Sequence, residues 1–291
     1  MEEIIKIKPG MGEWPVAFLE MPDPPKELYI EGQWPAPEFI FLTVVGSRRF
    51  SNYGKEVCED LIAGLAGYPI AIVSGLAIGI DTIAHKAALK AKLPTIAFPG
   101  SGLDRSVLHP SSNKKLAEEI IYAGGALVAE YEPLMPAGIH TFPKRNRLMA
   151  ALSKASLIIE AGDKSGTLIT ARLALDYNRE VLAVPGAIFN PGSKGTNGLI
   201  RLGATPITCS KDILEALGFN TPTDEEAKQA SLFTNLSENE QKIVELLQVE
   251  PLPRDELIIL SNLSAAEANS TLAVLEIKGL IKETMGEVRL S

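Results

Sequence analysis

The stretch Pro69-Ile70-Ala71-Ile72-Val73-Ser74-Gly75-Leu76-Ala77-Ile78-Gly79-Ile80-Asp81-Thr82-Ile83-Ala84-His85 decides the fold. Its first five residues are apolar throughout, as in a strand buried on both faces. Ser74 to Gly79 is a glycine-bearing turn, and from Ile80 to Lys92 apolar residues recur at helical spacing. Strand, turn and helix in that order make half of a βαβ unit, whose strands run parallel and whose crossover is right-handed.

The unit recurs along the chain. Apolar runs at Phe39–Val45, Pro94–Phe98, Ala126–Ala129, Ser156–Glu160, Val181–Val184 and Thr205–Thr208 alternate with amphipathic segments at Tyr53–Ala66, Asn113–Ala123, Asn146–Lys154 and Leu168–Asn178. This predicts an α/β fold: an extended Rossmann-like parallel sheet with helices on both faces. Such sheets bind ligands at the carboxyl ends of their strands. Residues 1–38 carry Pro9, Pro15, Pro22, Pro24, Pro25, Pro35 and Pro37 and read as an extended lead-in with one short strand near Leu28–Glu31. The Rossmann-like domain then covers 39–219, and the polar stretch 220–230 reads as a linker. In residues 231–291, Ser237 with Glu240 forms a capping-box pattern, Pro253–Leu260 reads as a second helix and Ser264 caps a third. A hairpin follows around Gly286, and three helices with a terminal hairpin predict a small winged-helix domain.

The 291 residues suit about two domains. A hydrophobic share of 46% and a charged share of 22% suit a folded chain, and a net charge of -8 excludes a uniformly basic nucleic-acid coat while leaving a local basic groove open. No apolar run approaches the roughly 18 residues of a membrane helix. The acidic start lacks a signal-peptide pattern, so a cytoplasmic protein without a membrane partner is expected. Cys58 and Cys209 stand far apart, and His85, His109 and His140 show no metal-ligand spacing. No disulfide framework, metal or cofactor is expected.

Four glycine-bearing turns follow predicted strands: Gly46-Ser47-Arg48-Arg49, Ser74–Asp81, Gly100–Asp104 and Lys164-Ser165-Gly166-Thr167. Each brings backbone N–H groups to a place where an anion can meet them. None is a G-x-G-x-x-G or G-x-x-x-x-G-K-[ST] fingerprint, so the expected ligand bears phosphate but is neither a dinucleotide nor ATP on a P-loop. Lys144-Arg145-Asn146-Arg147, directly after Phe142-Pro143, adds cations at a helix start. Cations there oppose the helix dipole and call for an anionic partner. The expected site is Gly46, Ser47, Arg48, Phe142, Lys144, Arg145, Asn146, Arg147, Lys164, Ser165, Gly166 and Thr167, with Phe142 available to stack on a base. No serine sits in a G-x-S-x-G elbow, Asp81 and His85 read as a helix-stabilising i,i+4 pair, and no catalytic residue is expected.

Taken together, the ordered motifs resemble the DNA-processing protein A family (DprA, also called Smf). The resemblance runs from Pro22-Asp23-Pro24-Pro25 and Leu28-Tyr29 through Gly46-Ser47-Arg48, Ser74–Asp81 with Ala84-His85, and Gly102-Leu103-Asp104. It continues through Phe142-Pro143-Lys144-Arg145-Asn146-Arg147, Glu160-Ala161 and Ser165–Ala171 to Val184-Pro185-Gly186 and Gly195–Ala204. It implies single-stranded DNA binding, homodimerisation and delivery of DNA to a RecA-type recombinase in natural transformation. On matching positions Arg48 would contact phosphate, Phe142 would stack, and Lys144, Arg145, Arg147 and Lys164 would line the groove. Ile139 stands where some members carry a lysine, and His109 where the family often has tyrosine. Leu199, Ile200 and Leu202, beside Gly203-Ala204, are apolar enough to form the dimer interface.

Two other readings compete. Phosphoribohydrolases of the "lonely guy" type have a related fold and a G-G-x-G-T-x-x-E signature, but Thr170 stands where their glutamate would be. A hydroxyl cannot stabilise an oxocarbenium charge as a carboxylate does. A winged-helix duplex-binding regulator would bring cations to its recognition helix. Residues 231–291 instead hold five basic and ten acidic side chains, a net -5.

Overall fold

The computed structural model describes residues 3–11, 14–220, 236–247, 250–278, 280–284 and 286–290. The chain divides into two compact units, Met1–Asn220 and Thr221–Ser291. The linker read over 220–230 lies, apart from Asn220, outside the described residues.

The first unit is built on nine strands: β1 (Ile5–Ile7), β2 (Leu28–Gly32), β3 (Ile40–Val45), β4 (Ile70–Ser74), β5 (Thr95–Ala97), β6 (Ala126–Ala129), β7 (Ala155–Ile158), β8 (Glu180–Ala183) and β9 (Thr205–Pro206). They lie in the order β1-β2-β6-β5-β4-β3-β7-β8-β9. From β6 to β9 every neighbouring pair is parallel. The chain winds outward from β3 to β6 on one side, then returns to place β7 on the other side of β3. That reversal opens a crevice at the carboxyl ends of β3 and β7.

Among the described residues of this unit the α-helices are α1 (Asn52–Ala63), α2 (Ile80–Lys90), α3 (Lys114–Tyr122), α4 (Thr141–Leu152), α5 (Thr167–Asp176), α6 (Lys194–Arg201) and α7 (Ser210–Ala216). Strand alternation sends side chains to both faces of the sheet. Leu42 and Val44 of β3 pack with Leu61 of α1, Ala84 of α2 and Leu214 of α7 on one face. Val45, on the other face, packs in a cluster with Leu148 of α4, Ala171 of α5 and Phe18.

The lead-in contributes more to the sheet than its prolines suggest. β2 runs antiparallel beside β6, with Tyr29 opposite Ala129, and β1 runs antiparallel beside β2. The sheet is therefore mostly, not wholly, parallel. Leu28 and Ile30 are buried, and so is Glu31, whose carboxylate takes two 2.8 Å bonds from the Arg105 guanidinium. A bidentate pair of this kind fixes the strand edge as well as neutralising the carboxylate.

The second unit contains α8 (Glu238–Leu247), α9 (Arg254–Leu260), α10 (Ala265–Ile277), β10 (Leu252–Pro253), β11 (Ile281–Thr284) and β12 (Glu287–Leu290). Ser264 and Glu267 form a reciprocal capping box, and Ser237 with Glu240 does the same ahead of α8. β10 joins the hairpin, giving a three-stranded wing where the sequence indicates two strands. Ile243, Leu257, Leu272 and Val288 meet in its core. Among the described residues no single helix is long and apolar enough to cross a membrane.

Candidate nucleic-acid interface

The crevice at the β3/β7 reversal is a cleft of about 700 Å³. Its first wall is the turn after β3. A Cβ on Gly46 would lie 2.6 Å from the Ile80 side chain, so only glycine lets the chain pass there. Ser47 Oγ donates to the Arg49 carbonyl at 2.8 Å and accepts from the Arg49 N–H at 3.0 Å, which folds the turn and presents Arg48 and Arg49.

The second wall is α4. Phe142, Arg145, Asn146 and Met149 line the cleft, the spacing of one helical face. Thr141 starts the helix and donates from Oγ1 to the Gly100 carbonyl at 2.5 Å. The Phe142 ring rests against Gly100, where a Cβ would come within 2.4 Å of it. Its centroid is 5.7 Å from the His109 ring, and the Arg48 guanidinium stands 5.4 Å over it. This is cation–π distance.

Arg145 is buried behind Phe142. Its Nη1 donates to the Gly75 carbonyl at 2.6 Å and its Nε to Asn146 Oδ1 at 3.0 Å. The Gly75 N–H in turn donates to Asp81 Oδ2 at 3.1 Å. A Cβ on Gly75 would meet both the guanidinium and that carboxylate. Burial pulls the Arg145 pKa down to about 10, with the negative charge of Asp81 acting in the opposite sense. Burial raises the Asp81 pKa, and Arg145 counters it. Arg145 and Asp81 each bond to the Gly75 backbone and so hold the Ser74–Asp81 turn between them, and Arg145 frames the cleft.

The third wall is the turn into α5. Ser165 Oγ accepts from the Thr167 N–H at 3.2 Å, and Thr167 Oγ1 donates to the Gly46 carbonyl at 3.1 Å, tying this turn to the first. Lys164, Ser165, Gly166 and Thr167 all line the cleft. Open space faces Gly166 where a side chain would stand. Behind the wall, buried Glu160 accepts from the N–H and hydroxyl of Ser51, the N-cap of α1.

Lys144 and Arg147 do not line this cleft. Arg147 is buried on another side of α4, where it pairs with Glu130 and donates from Nη1 to the Asp23 carbonyl at 2.6 Å. Lys144 Nζ lies 4.0 Å from the same Glu130 carboxylate. The reason is helical phase. α4 begins at Thr141 rather than Asn146, so positions 144 and 147 share one row and 142, 145 and 149 another. The anionic partners that these cations call for are partly the protein's own carboxylates.

Sequence reasoning missed Met149, Ile169 and Thr170, which line the cleft, and took Ile139 only as standing where some members of the family carry a lysine; Ile139 and Arg49 line it too. Helical spacing from Phe142 and Thr167 could have found Met149 and Thr170. His85 makes no pair with Asp81: its Nδ1 lies 2.8 Å from Thr95 Oγ1, and burial pushes its pKa down to about 3. Among the described residues no group of three or more His, Cys, Asp or Glu could hold a metal ion.

The profile of the family described as DNA recombination-mediator protein A matches residues 6–218, and that of the DprA winged helix domain matches residues 224–287. The chain belongs to the DNA recombination-mediator protein A family. Protein Smf of Escherichia coli strain K12 is 42% identical over 221 residues, covering 76% of this chain and 59% of that protein. The DNA processing protein DprA of Streptococcus pneumoniae strain R6 is 40% identical over 207 residues, covering 71% of this chain and 72% of the relative. Among solved structures, DNA processing protein A of S. pneumoniae superposes with a TM-score of 0.69 at 36% identity over 75% of each chain. The Helicobacter pylori protein, studied for its single-stranded DNA binding mode, does so at 0.65 with 32% identity, over 74% of this chain and 96% of its own. The chain spans about 60% of the length of the first two curated DprA and Smf relatives, 59% and 63%.

Proposed function

We propose that the cleft binds single-stranded DNA and that the protein is a cytoplasmic recombination mediator. In this reading it protects incoming strands and loads a RecA-type recombinase during natural transformation. The observation that carries the reading is the Arg48–Phe142 stack, flanked by Arg49, Lys164 and the two glycine turns. An aromatic ring beside a guanidinium offers a stacking platform to any base, while lysine, arginine and turn N–H groups take phosphate oxygens. Arg147 plays no direct part here, being committed to Glu130 and Asp23. Membership of the recombination-mediator family and the DNA-binding theme of the H. pylori protein support the reading.

The protein acts as a homodimer through α6. Leu202 at its end is 81% exposed, and Leu199 and Ile200 are half-buried beside it. Ile188 and Phe189, just ahead of the helix, are also exposed, and large apolar side chains left open to water on a folded surface favour an interaction site there. The winged helix docks a protein rather than duplex DNA. Two of its five cations are spent internally: Arg254 lies 3.4 Å from Glu283, and Lys278 lies 2.6 Å from Glu240. Lys282 and Arg289 face each other across the hairpin, a pair too small for a duplex footprint. Binding of a short single strand against the matching duplex, each titrated with salt, tests the function. Tighter and salt-sensitive binding of the single strand is expected, and no preference for it would refute the reading.

A further inference from the structure

Two isoleucines line the cleft, and phosphate chemistry does not use them. Ile139 is 93% exposed and Ile169 is 43% exposed, yet both line the same cleft as Arg48 and Lys164. They stand at the N-terminal ends of α4 and α5, two helices that pack on the same face of the sheet. Ile139 is not on a loose loop. The Gly102 N–H donates to the Met135 carbonyl at 2.8 Å, the Asp104 N–H to the Pro133 carbonyl at 2.9 Å, and the Gly138 N–H to Thr141 Oγ1 at 3.0 Å. A β-branched side chain on an anchored segment has little freedom to fold away from water.

An isoleucine has nothing to offer a phosphate, but the face of a nucleobase is apolar. We infer that Ile139 is a base-contacting wedge: it packs against the bases of the strand bound in the cleft that Phe142 also lines. The inference rests on the single-strand reading above and adds a base contact to it. It also assigns affinity to a residue that releases no counterions. Apolar residues inserted between base steps serve comparable ends in nucleic-acid complexes of other kinds.

The test compares a short oligothymidylate with an abasic deoxyribose-phosphate oligomer of the same length, using the full chain. The wild-type protein should prefer the thymidylate. Ile139→Ala, at a site exposed enough to leave folding intact, should reduce that preference about fivefold, on the order of one aliphatic side chain partly buried against a base. Its affinity for the abasic oligomer and its salt slope should not change. Ile139→Lys should lose the same preference but steepen the salt slope by about 0.7, the increment of one added phosphate contact. An Ile139→Ala protein that keeps the full thymidylate preference, or that weakens on both oligomers alike, overturns the inference alone. A wild-type protein that binds neither oligomer overturns the single-strand reading as well.

Discussion

Arg145 and Arg147 are two residues apart and differ in what they hold. Arg145 braces the Ser74–Asp81 turn from the cleft side, whereas Arg147 is locked to Glu130 and the Asp23 carbonyl. Arg147→Ala strands a largely buried carboxylate, so it should cost about 3 kcal/mol of stability. In denaturant titrations the midpoint should fall, while the salt slope of DNA binding in the folded protein stays as in wild type. Among the described residues Arg48 forms no ion pair, and it stands over the Phe142 ring. Arg48→Ala should leave stability nearly unchanged, weaken single-strand binding and flatten its salt slope by about 0.7. His85 sets a third expectation. Its folded pKa of about 3 lies below the ordinary 6.5. The contribution of the neutral ring is therefore complete above about pH 6.5 and is lost as pH falls towards 3, at about 1.4 kcal/mol per unit. His85→Gln, which keeps a partner for Thr95, should flatten the unfolding free energy of the protein between about pH 6 and pH 4, as followed by urea titration.

At the level of elements, apolar runs locate the parallel strands because burial on both faces leaves little room for polar residues; Thr43, Ser74 and Thr95 are buried there with hydroxyls that donate to backbone carbonyls. Ala126–Ala129 matches β6 residue for residue, and β3 starts one residue after its run. The helices on the cleft were less legible. α4 begins with Thr141-Phe142-Pro143, where a proline in the first turn is tolerated because its missing N–H has no helical partner anyway. Reading the helix only from Asn146 left Phe142 to Arg145 outside it, so the row that Lys144 forms with Arg147 went unread. β1 escaped notice for another reason: Ile5-Lys6-Ile7 is too short and too mixed to signal a strand without its partner β2. Of the site itself, the glycine turns and Arg48, Phe142 and Lys164 could be read from residue type and spacing. Ile139 was legible only as the position where some members of the family carry a lysine, because an exposed isoleucine has no chemical signature of its own. The Gly100 contact shows how elements meet. Gly100→Ala pushes a methyl into the Phe142 ring, so it should weaken single-strand binding several-fold with no loss of salt slope, as measured by fluorescence anisotropy across a salt series.

On the scale of the whole molecule, the charge of -8 is compatible with DNA binding because Arg48, Arg49, Arg145 and Lys164 line one cleft. In the proposed reading the acidic winged helix docks a protein, so removing residues 231–291 should leave single-strand affinity within a few-fold. Ile200→Glu should give monomers by light scattering, with weaker binding to long strands because two linked sites no longer act together. The measurement that bears most directly on the account is equilibrium binding of a short single strand and its duplex to the full chain and to Arg48→Ala and Lys164→Ala, across a salt series. The account predicts preference for the single strand, with each substitution lowering the slope by about 0.7. Equal affinity for duplex and single strand, or slopes unmoved by both substitutions, would contradict it.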